Sequence, residues 1–218
     1  LKYLVTERCA QAVREYVQSH LTRDRNCTPG SDLGYPIHSL YLDTSDLALC
    51  RATIDGIRTR RKLRIRYYDD HPDSPVFLET KRRVERLVLK DRAAVHRSAL
   101  ADLLGRHRIR RSNLTDPTDD DAYDAADRFC RDLSSLDARG RVTVSYTRDA
   151  WVMPNGGAAR VTFDRNLCFR AHDGGYRLTN GARRFSPRLE GVVIELKFTD
   201  RYAPWTEQLV QSFELQRC

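Results

Sequence analysis

From Arg60 to Tyr68 a cation or a tyrosine stands at every second position: Arg60, Lys62, Arg64, Arg66 and Tyr68, with Leu63, Ile65 and Tyr67 between them. Successive side chains of a β-strand point to opposite faces, so this run predicts a strand with one apolar face and one face of almost pure positive charge. The same alternation returns in Phe77 to Arg83, where Phe77, Glu79, Lys81 and Arg83 share a face, and in Leu87 to Arg92, where Lys90 and Arg92 fall in register with Val88. It continues in Arg141 to Val152, with Tyr146 and Arg148 on one side beside Val142 and Val144. Arg160, Thr162 and Asp164 oppose Val161 and Phe163, and in Val193 to Phe198 Glu195 and Lys197 oppose Ile194, Leu196 and Phe198. Any one of these strands is compatible with a solvated antiparallel sheet face. Repetition is harder to explain that way, because each directly opposed like-charged pair costs tenths to about 1 kcal/mol unless an anion compensates it.

The chain's composition agrees with an anionic partner. It has 218 residues and a net charge of +8, a balance that favours a phosphate polymer, nucleotide or nucleic acid. Of 38 basic residues only five are lysines, Lys2, Lys62, Lys81, Lys90 and Lys197, and all lie in or beside the predicted strands. A lysine retained in so arginine-rich a chain suggests a place where a compact ammonium is wanted.

Other classes are disfavoured. The six cysteines form no CxxC pair and read as reduced, mostly buried thiols of a cytoplasmic protein. The six histidines show neither HxxxH nor HExxH spacing, so the chemistry is expected from Arg, Lys and carboxylates. His38 and His96 read as packed or surface residues. No apolar run approaches the roughly 18 residues of a membrane helix. No secretory leader precedes Leu1, and the lack of an initiator Met is expected of a trimmed chain.

Helical periodicity predicts elements at residues 6–21 behind a Thr6 cap, at 45–51, 98–104 and 125–136, and from Pro204 onward. Residues 26–34 read as a loop, 37–43 as a strand, and Asp55-Gly56 as a hairpin turn. The six aspartates of 116–127 lack the ordered ligands of a calcium loop and read as a solvated loop and helix start. Nothing resembling a repeat or linker divides the chain, so a single domain over 1–218 is expected. The fold class is α+β: if the sheet curls into a closed antiparallel barrel, its apolar faces point outward under the helices and its charged faces line a wet interior.

The ordered series Lys2-Tyr3, Ser39-Leu40-Tyr41-Leu42-Asp43-Thr44, Arg61 to Tyr67, Phe77-Leu78-Glu79-Thr80-Lys81-Arg82, Lys90-Asp91-Arg92, Tyr146-Thr147-Arg148 and Glu195-Leu196-Lys197 resembles the VTC domain. This is the polyphosphate polymerase branch of the triphosphate tunnel metalloenzymes, related to the CYTH group. The resemblance runs from residue 2 to about 216. The family's residues before the Lys-Tyr pair and its Ser-Lys-Tyr segment after the last helix lie outside this chain.

The resemblance implies a closed β-tunnel that holds a triphosphate and a growing polyphosphate. Arg64, Arg66, Lys81, Lys90 and Arg148 would carry the reacting phosphates, with Lys2, Arg160 and Lys197 as further substrate-binding cations and Tyr146 near the nucleotide base. Glu195 would hold Mn²⁺ or Mg²⁺, with Glu79 a metal neighbour or a partner orienting Lys81. The reaction implied is transfer of the terminal phosphoryl group of ATP onto polyphosphate, compatible with a membrane partner. The alternatives are an inorganic or nucleoside triphosphatase, which would use Glu79, Asp164 or Glu195 to orient water, and a non-catalytic polyphosphate or inositol phosphate sensor. A nucleic-acid partner is not expected, because few aromatics interleave the cations.

Overall fold

The computed structural model describes residues 1–27, 34–154, 159–176, 178, 190–198 and 204–218. Residues 28–33 of the predicted loop lie outside them. Nine strands and five α-helices occur among the described residues. In chain order they are β1 (Lys2–Val5), α1 (Glu7–Gln18), β2 (Thr22–Arg23), β3 (Tyr35–Asp43), α2 (Ala48–Ile54), β4 (Arg60–Tyr67) and β5 (Val76–Val84). Then follow β6 (Leu87–Val95), α3 (Leu100–Arg106), α4 (Asp120–Ser135), β7 (Arg139–Val152), β8 (Ala159–Gly174), β9 (Val192–Phe198) and α5 (Pro204–Ser212). Two compact units divide the chain, one of Leu1–Pro36, Ser145–Cys168 and Ser186–Cys218, the other of Ile37–Val144 and Phe169–Phe185.

Local chemistry explains the element boundaries. Thr6 caps α1 by accepting a hydrogen bond from the Cys9 N–H, and Asp119 caps α4 through the Ala122 N–H. The aspartate-rich stretch is thus a turn, held by Asp116 accepting from Thr118, followed by a helix that begins earlier than its apolar periodicity suggests. Asp55 and Gly56 are the exit of α2 into β4 rather than a hairpin between strands: Asp55 is the helix C-cap and Gly56 has φ +68°.

Period-2 patterning places the cores. In the second unit Leu63, Ile65, Tyr67, Leu78, Ala93 and Val95 are buried together with Leu103 and Leu104 of α3 and Phe129, Cys130 and Leu133 of α4. In the first unit Tyr3, Val161, Phe163, Ile194 and Leu196 pack with Val13 and Val17 of α1 and Leu209 of α5. Each unit therefore covers the apolar face of its strands with helices. The reason is the area rule: removing apolar surface from water is worth about 25 cal/mol per Å², and only this face offers it. The six cysteines are all free, but only Cys27 and Cys130 are buried, and Cys50 and Cys218 are exposed, so the expectation of mostly buried thiols holds only in part. Burial pushes the Cys130 thiol up to about 11 and leaves it protonated.

The expected closed barrel is not found. The ladder order is β1-β9-β8-β7-β3-β4-β5-β6, with β2 joined to β7, and β1 and β6 are the two ends of an open sheet. Each end strand pairs some of its backbone groups with a short flanking segment instead. On β1, Tyr3 bridges to Arg217 and the Lys2 carbonyl accepts from the Cys218 N–H. On β6, Val95 bridges to Leu114 and the Ala94 carbonyl accepts from the Thr115 N–H. Covering edge strands with short flanking segments is a common way to satisfy them without closure.

Candidate functional site

In the second unit, antiparallel pairing aligns the cations of three strands. Lys62 of β4 lies opposite Lys81 of β5, which lies opposite Lys90 of β6, and all three are exposed. Three of the five lysines in the chain thus form one row across the sheet. The next row is Arg64, Glu79 and Arg92, and the next Arg66, Phe77 and Ala94.

Glu79 is the hub of this face. Arg64 donates from Nε to its Oε2 at 2.6 Å, while Arg66 Nη1 and Arg92 Nε stand 3.6 and 3.5 Å from its Oε1. Arg64 also donates to the Tyr41 hydroxyl at 3.1 Å, and Arg92 lies 3.8 Å from the centre of the Phe77 ring. Burial opposes the charged form of Arg64, yet Tyr41 and Glu79 outweigh it and raise its pKa. One carboxylate among three guanidiniums leaves a face that is still strongly positive, with its arginines held in fixed orientations.

The first unit carries the remaining predicted residues. Lys2 lies opposite Glu195, which lies opposite Thr162, and Arg160 lies opposite Lys197. Glu195 is half-buried, and its Oε2 is 3.2 Å from Lys197 Nζ. Burial alone would raise the Glu195 pKa, but Lys197, Lys2 and Arg148 together hold it below the ordinary value. Burial pushes the Lys197 ammonium down, with Glu195 opposing.

Arg148 is nearly buried and makes a bidentate pair with Asp164, Nε to Oδ1 and Nη2 to Oδ2, both at 2.7 Å. Its guanidinium carbon lies 5.2 Å from the centre of the Tyr146 ring. Arg160 Nη2 is 2.8 Å from Asp24 Oδ2. Gly34 contributes indirectly: with φ +76° it lies so close to Arg148 that an added Cβ would stand 2.1 Å from the Arg148 carbonyl oxygen, so only glycine fits.

Sequence reasoning placed Arg64, Arg66, Lys81 and Lys90 on one face, and the second unit brings them together with Glu79. The resemblance supplied Lys2, and strand alternation placed Tyr146, Arg148, Arg160, Glu195 and Lys197 on charged faces; the first unit holds all six. Sequence reasoning put Lys62 and Arg92 on charged faces without assigning them to the site, and it missed Asp164 as the partner of Arg148 and Asp24 as the partner of Arg160. For the first two the signal was present in the alternation. For the carboxylates only strand register could have revealed the pairing.

The residues can be tested against the divalent ion that the resemblance implies. No group of three or more His, Cys, Asp and Glu occurs among the described residues, so an all-protein cage is not built there. An ion that takes most of its ligands from phosphate oxygens and water needs only one or two carboxylates. Glu195 fits: it is held ionised, and across the ladder from it the fully buried Thr162 hydroxyl has no hydrogen-bond partner among the described residues. Glu79 does not fit, since both its oxygens face guanidiniums.

The depressed pKa of Glu195 carries a sign. Its contribution to stability is fully present above the unfolded carboxylate value of about 4.3 and is lost as pH falls through the lower folded value. Glu195→Gln is therefore expected to flatten the acid limb of a Tm-against-pH curve below about pH 5. Parallel acid limbs for the two proteins would show that Glu195 has no such linkage.

Three structures of known proteins align with this chain at 14% sequence identity. HpAC1 from Hippeastrum, described as a candidate adenylyl cyclase with a dominant triphosphatase activity, aligns with a TM-score of 0.50 over 98% of this chain and 86% of its own. A candidate adenylate cyclase from Vibrio parahaemolyticus aligns with a TM-score of 0.48, covering 99% and 87% of the two chains. The PH1819 protein from Pyrococcus horikoshii OT3 gives 0.42, covering 98% and 82%. No curated protein matches the sequence. The VTC domain description matches residues 1–218, and the chain belongs to the VTC domain family.

Proposed function

We propose that this chain is a metal-dependent phosphotransferase that moves the terminal phosphoryl group of ATP onto a polyphosphate chain. The observation that carries the reading is the set of aligned rows Lys62-Lys81-Lys90 and Arg64-Glu79-Arg92, a sheet face suited to a linear, multiply charged anion. Arg64 and Arg66, oriented by Glu79, would hold phosphate oxygens by charge-assisted hydrogen bonds, and Lys81 and Lys90 would act as point charges along the chain. In the first unit Lys2, Arg160, Lys197 and the Nη1 of Arg148 not engaged by Asp164 would bind further phosphates, with Tyr146 against the base. A divalent ion, Mn²⁺ or Mg²⁺, held by Glu195 would offset charge on the phosphates.

Phosphoryl transfer to a phosphate oxygen needs no protein nucleophile and no strong general base, because the attacking oxygen is already ionised. Hydrolysis needs a carboxylate that orients water. Glu79 is held by guanidiniums and Asp164 by Arg148, which leaves Glu195. Transfer is accordingly the better fit. The triphosphatase reading stays in view because the Hippeastrum protein is described with that activity.

Incubation with ATP and Mn²⁺ or Mg²⁺, with and without a short polyphosphate primer, separates the readings. ADP with lengthening polymer supports transfer. ADP and phosphate without polymer would move the chain to hydrolysis, and metal-independent polyphosphate binding without turnover would make it a sensor. Arg66 Nε donates to Ser39 Oγ at 3.4 Å, and its Nη1 stands 3.6 Å from Glu79 Oε1, a carboxylate that Arg64 also holds. Arg66→Ala is expected to leave the urea midpoint within error while weakening triphosphate binding, by about 1.5–3 kcal/mol for each charge-assisted hydrogen bond removed. Unchanged affinity by calorimetry would remove Arg66 from the anion site.

A further inference from the structure

One end of the second unit exposes apolar side chains that its helices do not cover. The β5–β6 hairpin closes through the two-residue turn Glu85-Arg86, since Val84 pairs with Leu87. Val84, Leu87 and Val88 are 45%, 59% and 45% exposed. The segment that leaves α2 lies beside them: Arg58 Nη1 stands 3.7 Å from Glu85 Oε2, and Arg60 donates to the Ile57 carbonyl at 2.6 Å. This segment adds Ile54 and Ile57, 77% and 49% exposed. Five large apolar side chains at one end of a unit exceed the scattered exposure of an ordinary surface.

The charges around them have one dominant sign. Arg58, Arg83 and Arg86 are exposed there, with Lys81 and Lys90 one step behind on the same hairpin, against the acidic Asp55 and Glu85. The hairpin carries Val84, Leu87 and Leu89 on one face, and Val88 on the other among Lys81, Arg83 and Lys90. An element with apolar side chains on one face and cations on the other suits the boundary between lipid headgroups and acyl chains, which satisfies both at once. With the charged turn at its tip, the hairpin suits that shallow depth, where arginines stay among phosphates and the flanking side chains reach acyl carbons.

We propose that this end of the second unit docks on a bilayer of anionic phospholipid. The hairpin supplies apolar insertion and the arginines supply attraction to the negative surface.

The test is co-sedimentation of the full chain with vesicles of equimolar phosphatidylcholine and phosphatidylserine, against pure phosphatidylcholine, with and without excess polyphosphate. Binding to the anionic vesicles that falls with added salt is expected. Val84→Ser with Leu87→Ser should weaken it by about tenfold or more at unchanged net charge, and Arg86→Glu by about fivefold or more. Both variants alter exposed positions, so an unchanged Tm checks that they fold. No binding to the anionic vesicles overturns the proposal and leaves the hairpin to a protein partner. Binding that polyphosphate abolishes and the serine variant leaves intact overturns it in favour of the basic face alone. A dimer that the serine variant dissociates, with no vesicle binding, assigns the surface to a second copy of the chain.

Discussion

Arg148→Ala is expected to lower stability by about 3–5 kcal/mol, well beyond the effect of the same change at any exposed arginine of this chain. The cause is the carboxylate left behind. Asp164 is 8% exposed, and both of its oxygens accept from Arg148. Truncating the arginine strands a buried negative charge, which must be hydrated by local opening or neutralised by a proton. Urea denaturation of the wild type and variant measures the loss. The double variant Arg148→Met with Asp164→Leu is expected to recover most of it, because two well-packed apolar side chains replace an ion pair at little net cost. A loss below about 1 kcal/mol for the single variant would show that Asp164 finds another partner or water. Any fall in anion binding on removing Arg148 has to be separated from this structural effect, which Arg66 does not impose.

The second large effect concerns Glu195. Glu195→Gln is expected to reduce metal-dependent turnover on the order of 10²-fold or more, the several kcal/mol that a correctly placed divalent ion contributes to charge stabilisation. Metal-free triphosphate binding should persist or tighten, because the variant removes a negative charge from beside Lys2 and Lys197. The pairing of these two readouts is diagnostic. If affinity collapses along with turnover, Glu195 orients Lys197 and the metal is held elsewhere. If neither changes, this carboxylate has no part in the reaction.

Strand faces were legible because burial enforces period two: Leu63, Ile65 and Tyr67 are fully buried while Arg64 and Arg66 on the alternate face are not. Helices announced themselves through caps and apolar stripes, as Thr6 and the buried Val13 and Val17 of α1 show. Register was not legible. Which residue of β8 faces Arg148 depends on how two strands slide past each other, and periodicity is blind to any shift of two residues. The Arg148–Asp164 pair and the crowding of Glu79 by guanidiniums were therefore invisible. Closure was equally beyond reach, since it depends on distant backbone groups: Arg217 and Cys218 on β1, and Leu114 and Thr115 on β6. A charged stripe read as the lining of a barrel belongs instead to an open sheet.

The lysine row has a metric built into it. Lys62, Lys81 and Lys90 stand on three successive strands, and hydrogen-bonded strands are about 4.8 Å apart whatever side chains they carry. Their Cα positions are therefore marks on a ruler whose divisions the backbone sets. Its full length is two divisions, about 9.6 Å. An orthophosphate can sit at one mark at a time, whereas an anion long enough to reach from first to last satisfies all three ammoniums at once. Affinity along this row should then rise with ligand length in steps and level off once the ruler is spanned, a form of length measurement that uses no pocket.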